Sequence, residues 1–438
     1  MSHPSPVHVF TGPTLTAEQV HSVLPGAQVH EPVRHGDLIA LDAPAGAVVV
    51  IIDGLYHQQV SVRHKEILEL VDRGVHVVGC SSMGALRAAE LHQVGMVGAG
   101  TVFEMYRDGV IDADDEVAVV HLREGDLSAR NVPLVGVRVA TAAAVEAGVL
   151  SPALAERLVA VCRGQHYTER SWPALRRTVL RERPEAEAEL DALDEFRAAH
   201  PEAAAVKAYD ALATLGRLDE LTATPAAVRS ADTWRNPHVY DWAVEHRVVP
   251  ADGVAVSDAA VLRHRQVYDA DFPTTWRAFV VGELGASEEE VAARWTGVIG
   301  TDSPYLLATE RDLPAGEAVL RTLVRAFAPP RGLHDLRAAR PDLADAPGLR
   351  QEIARASRLN DETWWRNKER LVDRLPQERL LRHLSGLWGC SPDHTALLAA
   401  ARDRGLAGLD EAAAAVRPYF LRDHADDGGT LSTRWRLA

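Results

Sequence analysis

The stretch Val77-Val78-Gly79-Cys80-Ser81-Ser82-Met83-Gly84-Ala85-Leu86 reads as a β-branched strand that runs into serine and then into a helix. Such a turn exposes a hydroxyl at a helix N-terminus, where backbone N–H groups and the positive dipole end stabilise an oxyanion. Cys80-x-Ser82-x-Gly84 is a relaxed form of the G-x-S-x-G elbow. A serine that merely caps the helix has the same local sequence. Ser81 could be that cap and leave Ser82 free, or the roles could be reversed. A nucleophilic serine needs a base and a group that orients the base. The candidates are Asp53, which ends an apolar run, and His64 and Lys65, early in the next helical stretch. The last two point about 100° apart, so only one can face Ser82 squarely. Lys65 would act as base in a Ser–Lys pair, whereas His64 would work with Asp53 as a triad. Lysine scarcity favours Lys65 as base, with His64 as ligand or orienter. Lys65, Lys207 and Lys368 are the only lysines among 47 basic residues, and the other 44 are arginines. Cys80 would carry the sulfur if sulfur moved as a persulfide, and a small buried residue at a strand end explains it equally well.

Positioning these groups requires parallel βα units. Val7–Phe10 and the unbroken run Val48–Ile52 read as strands, the second buried on both faces. Thr16-Ala17-Glu18-Gln19 fits a capping box. Ser61–Arg73 reads as a helix stopped by Gly74, Val75–Val78 as the next strand, and Ser82–His92 as the next helix. In an open parallel sheet the turns after strand C-termini share one edge, where ligands bind. The turns Thr11–Thr14, Asp53–His57 and Cys80–Gly84 should therefore converge. Thr11, Gly12, Pro13, Gly54, Met83 and Gly84 become candidate substrate-binding residues, together with Arg87, Glu104 and Arg107. Asp115, Glu116 and His121 follow no standard metal-ligand spacing, so salt bridges are expected there and no metal.

Composition divides the chain. All nine tryptophans lie from Trp172 onward, in Ala/Leu/Arg/Glu-rich helical sequence. The expected organisation is an α/β core with a parallel sheet over residues 1–175, followed by a mostly α-helical part over 176–438. Two lobes meeting near Ala328–Arg331 are one arrangement of the latter. The pair Trp364-Trp365 would anchor an interface or fill a helical core. The net charge of −15 argues against a general nucleic-acid binder. No apolar run is long enough to span a membrane. The residues from Met1 to Pro6 lack a signal-peptide layout, and three distant cysteines exclude a thiolate zinc ribbon, which fits a cytoplasmic protein.

The turn at Ser82 resembles the Ser-Met-Gly-Ala turn around the nucleophile of Clp-type serine proteases. A longer set of segments resembles the TfuA family core: Val9–Leu15, Ile52–Gly54, His64–Leu68, Gly74–Val77, Ser82–Leu91, Gly95–Gly98, Phe103–Gly109 and Asp115–His121. The set spans roughly residues 7 to 170. Cys80-Ser81 departs from the small residues usual there, and Ser128–Val139 fits loosely. The resemblance implies a partner of a YcaO enzyme in peptide backbone thioamidation. ATP would be used by that partner, and this chain would need no cofactor of its own. The residues suggest a mechanism for such a partner, in which Ser82 attacks the C-terminal thiocarboxylate of a small sulfur-carrier protein and releases sulfide toward YcaO. A non-catalytic activator or scaffold of YcaO is one alternative, and a Cys80 persulfide sulfurtransferase is another. The precursor peptide would be met through the complex, and the helical part would dock YcaO, the carrier or a second copy of the chain.

Overall fold

Five short strands pair in parallel in the order β2-β1-β3-β4-β5: β1 (Val7–Phe10), β2 (Gln28–His30), β3 (Val48–Ile51), β4 (His76–Cys80) and β5 (Val97–Ala99). The computed structural model describes residues 5–55, 60–120, 129–224, 235–299, 302–367 and 372–425. Alternation along each strand sorts the side chains into two cores. Val49, Ile51 and Val77 face one side, where they meet Ile67 and Leu70 of α3 (His64–Asp72) and Ala85 and Ala88 of α4 (Met83–Leu91). Val48, Val50, Val78 and Cys80 face the other side, against Val20 of α1 (Ala17–Val23). The one-turn helix α2 (Asp37–Ala40) adds Leu38, and α5 (Thr101–Arg107) adds Val102 and Phe103, to the α3/α4 side. Both faces of the sheet are thus covered, which is why the central strand β3 reads as a continuous hydrophobic run.

The expected strands and helices form within a residue or two at most ends. Thr16 closes the capping box, its hydroxyl accepting from Gln19 N while Gln19 Oε1 accepts from Thr16 N. Helix α3 is shorter than expected, starting at His64 rather than Ser61. It stops before Gly74, whose φ of +78° is open to glycine at little cost. Sequence reading did not expect the edge strands β2 and β5, because three residues are too few to show a period.

Contacts divide the chain into two compact units, Met1–Arg235 and Asn236–Ala438. The division falls later than the 175/176 boundary expected from composition, and the reason is packing. Helices α6 (Leu134–Glu146), α7 (Pro152–Gly164), α8 (Trp172–Glu182) and α9 (Glu187–Ala199) share one core. After the short α10 (Pro201–Ala204), α11 (Val206–Gly216) returns to the sheet and inserts Ala211 and Leu215 against Val50 and Cys80, followed by Leu218 of α12 (Leu218–Leu221). The tryptophan boundary therefore marks a change of texture inside the first unit.

The second unit is mostly helical. It runs from α13 (Pro237–Glu245) to α23 (Phe420–Asp423) and includes one antiparallel hairpin of β6 (Val248–Ala251) and β7 (Val254–Ser257). Val324, Phe327, Leu333 and Leu336 belong to one core with Trp276, so Ala328–Arg331 is a connection across a single core. Trp276 is buried, while Trp364 and Trp365 are exposed; Trp234 and Trp435 lie outside the described residues. Among the described residues no helix is long and apolar enough to cross a membrane.

Candidate functional site

Parallel register sets the geometry of the sheet edge. Phe10 lies opposite Ile51, and Ile51 opposite Gly79. Just beyond that register come Gly12, Asp53 and Ser81, which follow the C-terminal ends of the adjacent strands β1, β3 and β4. The strand order reverses between β1 and β3, and such a switch point is where open α/β sheets leave a crevice. Asp53 sits in it and is buried. Its Oδ2 accepts from Gly12 N at 3.0 Å and Thr14 N at 2.9 Å, and its Oδ1 accepts from the Thr14 hydroxyl at 2.7 Å. The Thr11 hydroxyl is nearby, 3.5 Å from Oδ2. One carboxylate thus folds the whole Thr11–Thr14 loop around itself. A cavity of about 270 Å³ opens at the adjoining ends of β1 and β2, lined by Phe10, His30, Pro32 and Arg34 among others.

The turn after β4 carries the two serines. Ser81 has a φ of +66°, a conformation rare for a residue with a side chain and costing roughly 1–3 kcal/mol. The strained residue of this elbow is therefore Ser81, one position before the serine singled out from sequence. Its hydroxyl is fully buried and has no hydrogen-bond partner. Ser82 occupies the N-cap of α4, yet its side chain makes no capping hydrogen bond. Its backbone N–H goes to Cys80 O at 2.7 Å, and Gly84 N–H goes to Ile52 O at 3.1 Å. Among the described residues the N–H groups of Met83 and Ala85 have no acceptor. A hydroxyl and two uncommitted amides thus share the positive end of a nine-residue helix.

Two glycines bring α4 this close. A Cβ on Gly84 would lie 1.7 Å from Ile51 O, and one on Gly79 would lie 2.2 Å from Gly84 O. Cys80 is fully buried, and burial pushes its thiol up to about 12. The neighbouring Ser81 and Thr214 hydroxyls offset little of this, the first because its oxygen forms no hydrogen bond of acceptable geometry.

Helix α11 supplies groups that sequence reading missed. Lys207, Asp210 and Thr214 recur at i, i+3 and i+7, so they share a helix face, and all three are buried. Lys207 Nζ donates to Val117 O at 3.0 Å and lies 3.9 Å from Asp53 Oδ1, an ion-pair separation. Burial holds its pKa below the usual lysine value, partly offset by Asp53. Asp210 accepts from Val102 N at 2.8 Å at the start of α5, and burial raises its carboxyl. The polar spacing on α11 and the rarity of lysine were the available signals. The expected boundary at 175 set this helix apart from the sheet.

The remaining candidates are dispersed. His64 Nε2 meets Glu90 Oε2 at 2.7 Å and Arg87 Nη1 at 3.3 Å on the outer side of α3 and α4, so His64 does not pair with Asp53. Lys65 is half-buried and makes no hydrogen bond or ion pair among the described residues. Gly54 bridges to Val33 and packs under Met83, whose side chain is buried. Pro13 is half-buried in the loop held by Asp53, and Glu104 is exposed on α5. Arg107 pairs with its exposed neighbour Asp108. Glu116 accepts from Nε and Nη2 of Arg138, and Asp115 pairs with Arg170, so the acidic pair forms salt bridges as expected. His57 and His121 lie outside the described residues, and no group of three metal-ligating side chains occurs among the described ones.

Comparison with curated proteins found no match. Residues 53–171 match the family model described as TfuA-like protein, a span that begins at the Asp53 carboxylate and includes the Ser81–Ser82 elbow, while the Thr11–Thr14 loop and α11 fall outside it. Over that segment the chain is similar to the TfuA-like protein family.

Proposed function

We propose that this protein works beside a YcaO enzyme in ATP-dependent backbone thioamidation, supplying sulfide by hydrolysing the C-terminal thiocarboxylate of a sulfur-carrier protein. The TfuA-like family is associated with YcaO-dependent thioamidation. The observation that carries the finer reading is the Ser82 hydroxyl, which leaves its own helix uncapped beside the uncommitted Met83 and Ala85 amides. In this reading Ser82 Oγ attacks the thiocarboxylate carbon, and the oxyanion rests on those amides. The C–S bond then breaks, and the sulfur leaves as hydrosulfide, HS⁻, carrying the serine proton; hydrolysis of the ester later releases one further proton. Water next adds to the ester, freeing Ser82 and leaving a carboxylate on the carrier. One water is consumed and one sulfide released per carrier. ATP is spent by YcaO, this chain needs no cofactor, and the exchange takes place in the cytoplasm.

A persulfide relay through Cys80 gains no support, because a fully buried thiol pushed up to about 12 holds almost no thiolate at neutral pH. The test is to incubate the full chain with a thiocarboxylated carrier, quench in acid and analyse the digest by mass spectrometry. An acyl adduct on the peptide containing Ser82, absent in Ser82→Ala, is expected. Stimulation of YcaO with neither adduct nor sulfide release would replace this reading with the activator one.

A further inference from the structure

The least expected group at the sheet edge is a lysine in the apolar layer between α11 and the strands. Lys207 is 7% exposed, and a lysine is retained there in a chain that otherwise meets nearly every cationic need with arginine. A buried ammonium is tolerated only when paired and hydrogen-bonded. Its partners are Val117 O and Asp53, and an ammonium carries a third donor beyond these two. Asp53 in turn is the acceptor on which the Gly12 and Thr14 amides and the Thr14 hydroxyl converge. An ionised carboxylate is the acceptor that suits those donors, and a buried one needs a compensating cation.

We propose that Lys207 is a positioning residue of this site: through Asp53 it locks the Thr11–Thr14 loop at the same sheet edge as the Ser81–Ser82 elbow. The other charged groups near it do not substitute. Asp210, on the same helix, is acidic and is spent on the start of α5. Glu104 of α5 acts on Asp210 rather than on Lys207. Glu116, next to Val117, is held by Arg138, and Cys80 on β4 stays protonated. Val20 of α1 packs in one core with Ala211 of α11, and Val135 of α6 in the other with Val206, and neither carries charge. Without the cation, Asp53 would be a buried carboxylate with no compensating charge, and its hold on the Gly12 and Thr14 donors would loosen.

The activity arm of this inference rests on the hydrolysis proposed above; the exchange arm does not. Hydrogen exchange of the Gly12 and Thr14 amides is measured in full-length wild type, Lys207→Met and Lys207→Arg. Sulfide release from a thiocarboxylated carrier is followed in the same proteins. In Lys207→Met, exchange at both amides should rise at least about tenfold, and sulfide release should fall by a similar factor as the loop loses its fixed position. Lys207→Arg, which keeps the charge, should restore both toward wild type. If Lys207→Met unfolds, Asp53→Asn and the double variant Asp53→Asn/Lys207→Met take its place, and the double should lose no more loop protection than Asp53→Asn alone. Unchanged exchange in folded Lys207→Met, or further loss of loop protection in the double variant, would overturn the proposal. If Ser82→Ala still releases sulfide, the hydrolysis reading fails, and the exchange data alone decide the role of Lys207.

Discussion

Gly84→Ala perturbs the site through one methyl group. A Cβ on Gly84 would sit 1.7 Å from Ile51 O, whereas ordinary contacts of this kind begin at 3.4 Å. The start of α4 must therefore retreat by 3.4 − 1.7, or about 1.7 Å, from a rigid strand carbonyl that cannot rotate away. Overpacking of this kind costs roughly 1–3 kcal/mol, and a unit of this size melts about 2–4 °C lower per kcal/mol, so the midpoint should fall by roughly 2–12 °C. The same retreat also carries Ser82 and the Met83 and Ala85 amides out of line. A misplacement near 1 Å costs reacting groups about 10²-fold, and sulfide release should fall by at least that factor. The measurements are thermal unfolding and sulfide release from a thiocarboxylated carrier, with Gly136→Ala as control. Gly136 lies inside α6, where the nearest atom to an added Cβ is 3.5 Å away, and alanine there should be neutral or slightly stabilising. If Gly84→Ala melts with the wild type and keeps its activity, the close approach of α4 to β3 does not set the site.

Cys80→Ala should leave sulfur delivery within about twofold of wild type, and iodoacetamide should not alkylate Cys80 in the native protein at neutral pH, because its thiol is buried and pushed up to about 12. Rapid native labelling, read by mass spectrometry, would contradict this. Acid stability of the second unit should depend on His264, whose pKa is held at about 4 by burial and by Arg422, whose guanidinium nitrogen stands 3.0 Å from its Nε2. A histidine depressed in the folded state favours folding above its ordinary value of 6.5, and that contribution fades as pH falls from 6.5 toward 4. The wild-type melting temperature should therefore drop across this window, and His264→Gln should drop less. Parallel curves would refute the assignment.

Much of the sheet was legible because buried parallel strands write themselves as β-branched runs, as at Val48–Ile51. The capping box at Thr16 and the stop at Gly74 were legible because each has a local cause. The edge strands Gln28–His30 and Val97–Ala99 are held by their neighbours rather than by any pattern of their own. At the site, Asp53 and the serine turn were visible as strand ends, and their convergence followed from topology. What Asp53 binds was not visible, because its partners come from loop amides and from a helix more than 150 residues away in sequence. Lys207 carried the same rarity signal as Lys65. The weight given to Lys65 came from its nearness in sequence, and burial chose the other lysine. Gly84, considered for substrate contact, is pressed against Ile51. Ser81 took the strained backbone because the turn from strand to helix must bend within one residue, and two adjacent serines cannot reveal which of them bends.

Sulfide delivery by Ser82 is tested most directly in a reconstituted reaction of YcaO, ATP, precursor peptide, thiocarboxylated carrier and this protein, with thioamide formation read by mass spectrometry. Ser82→Ala should abolish carrier-dependent thioamide formation, and excess free sulfide should restore it. Wild-type levels of carrier-dependent product from Ser82→Ala, or a loss that free sulfide fails to restore, would contradict the account.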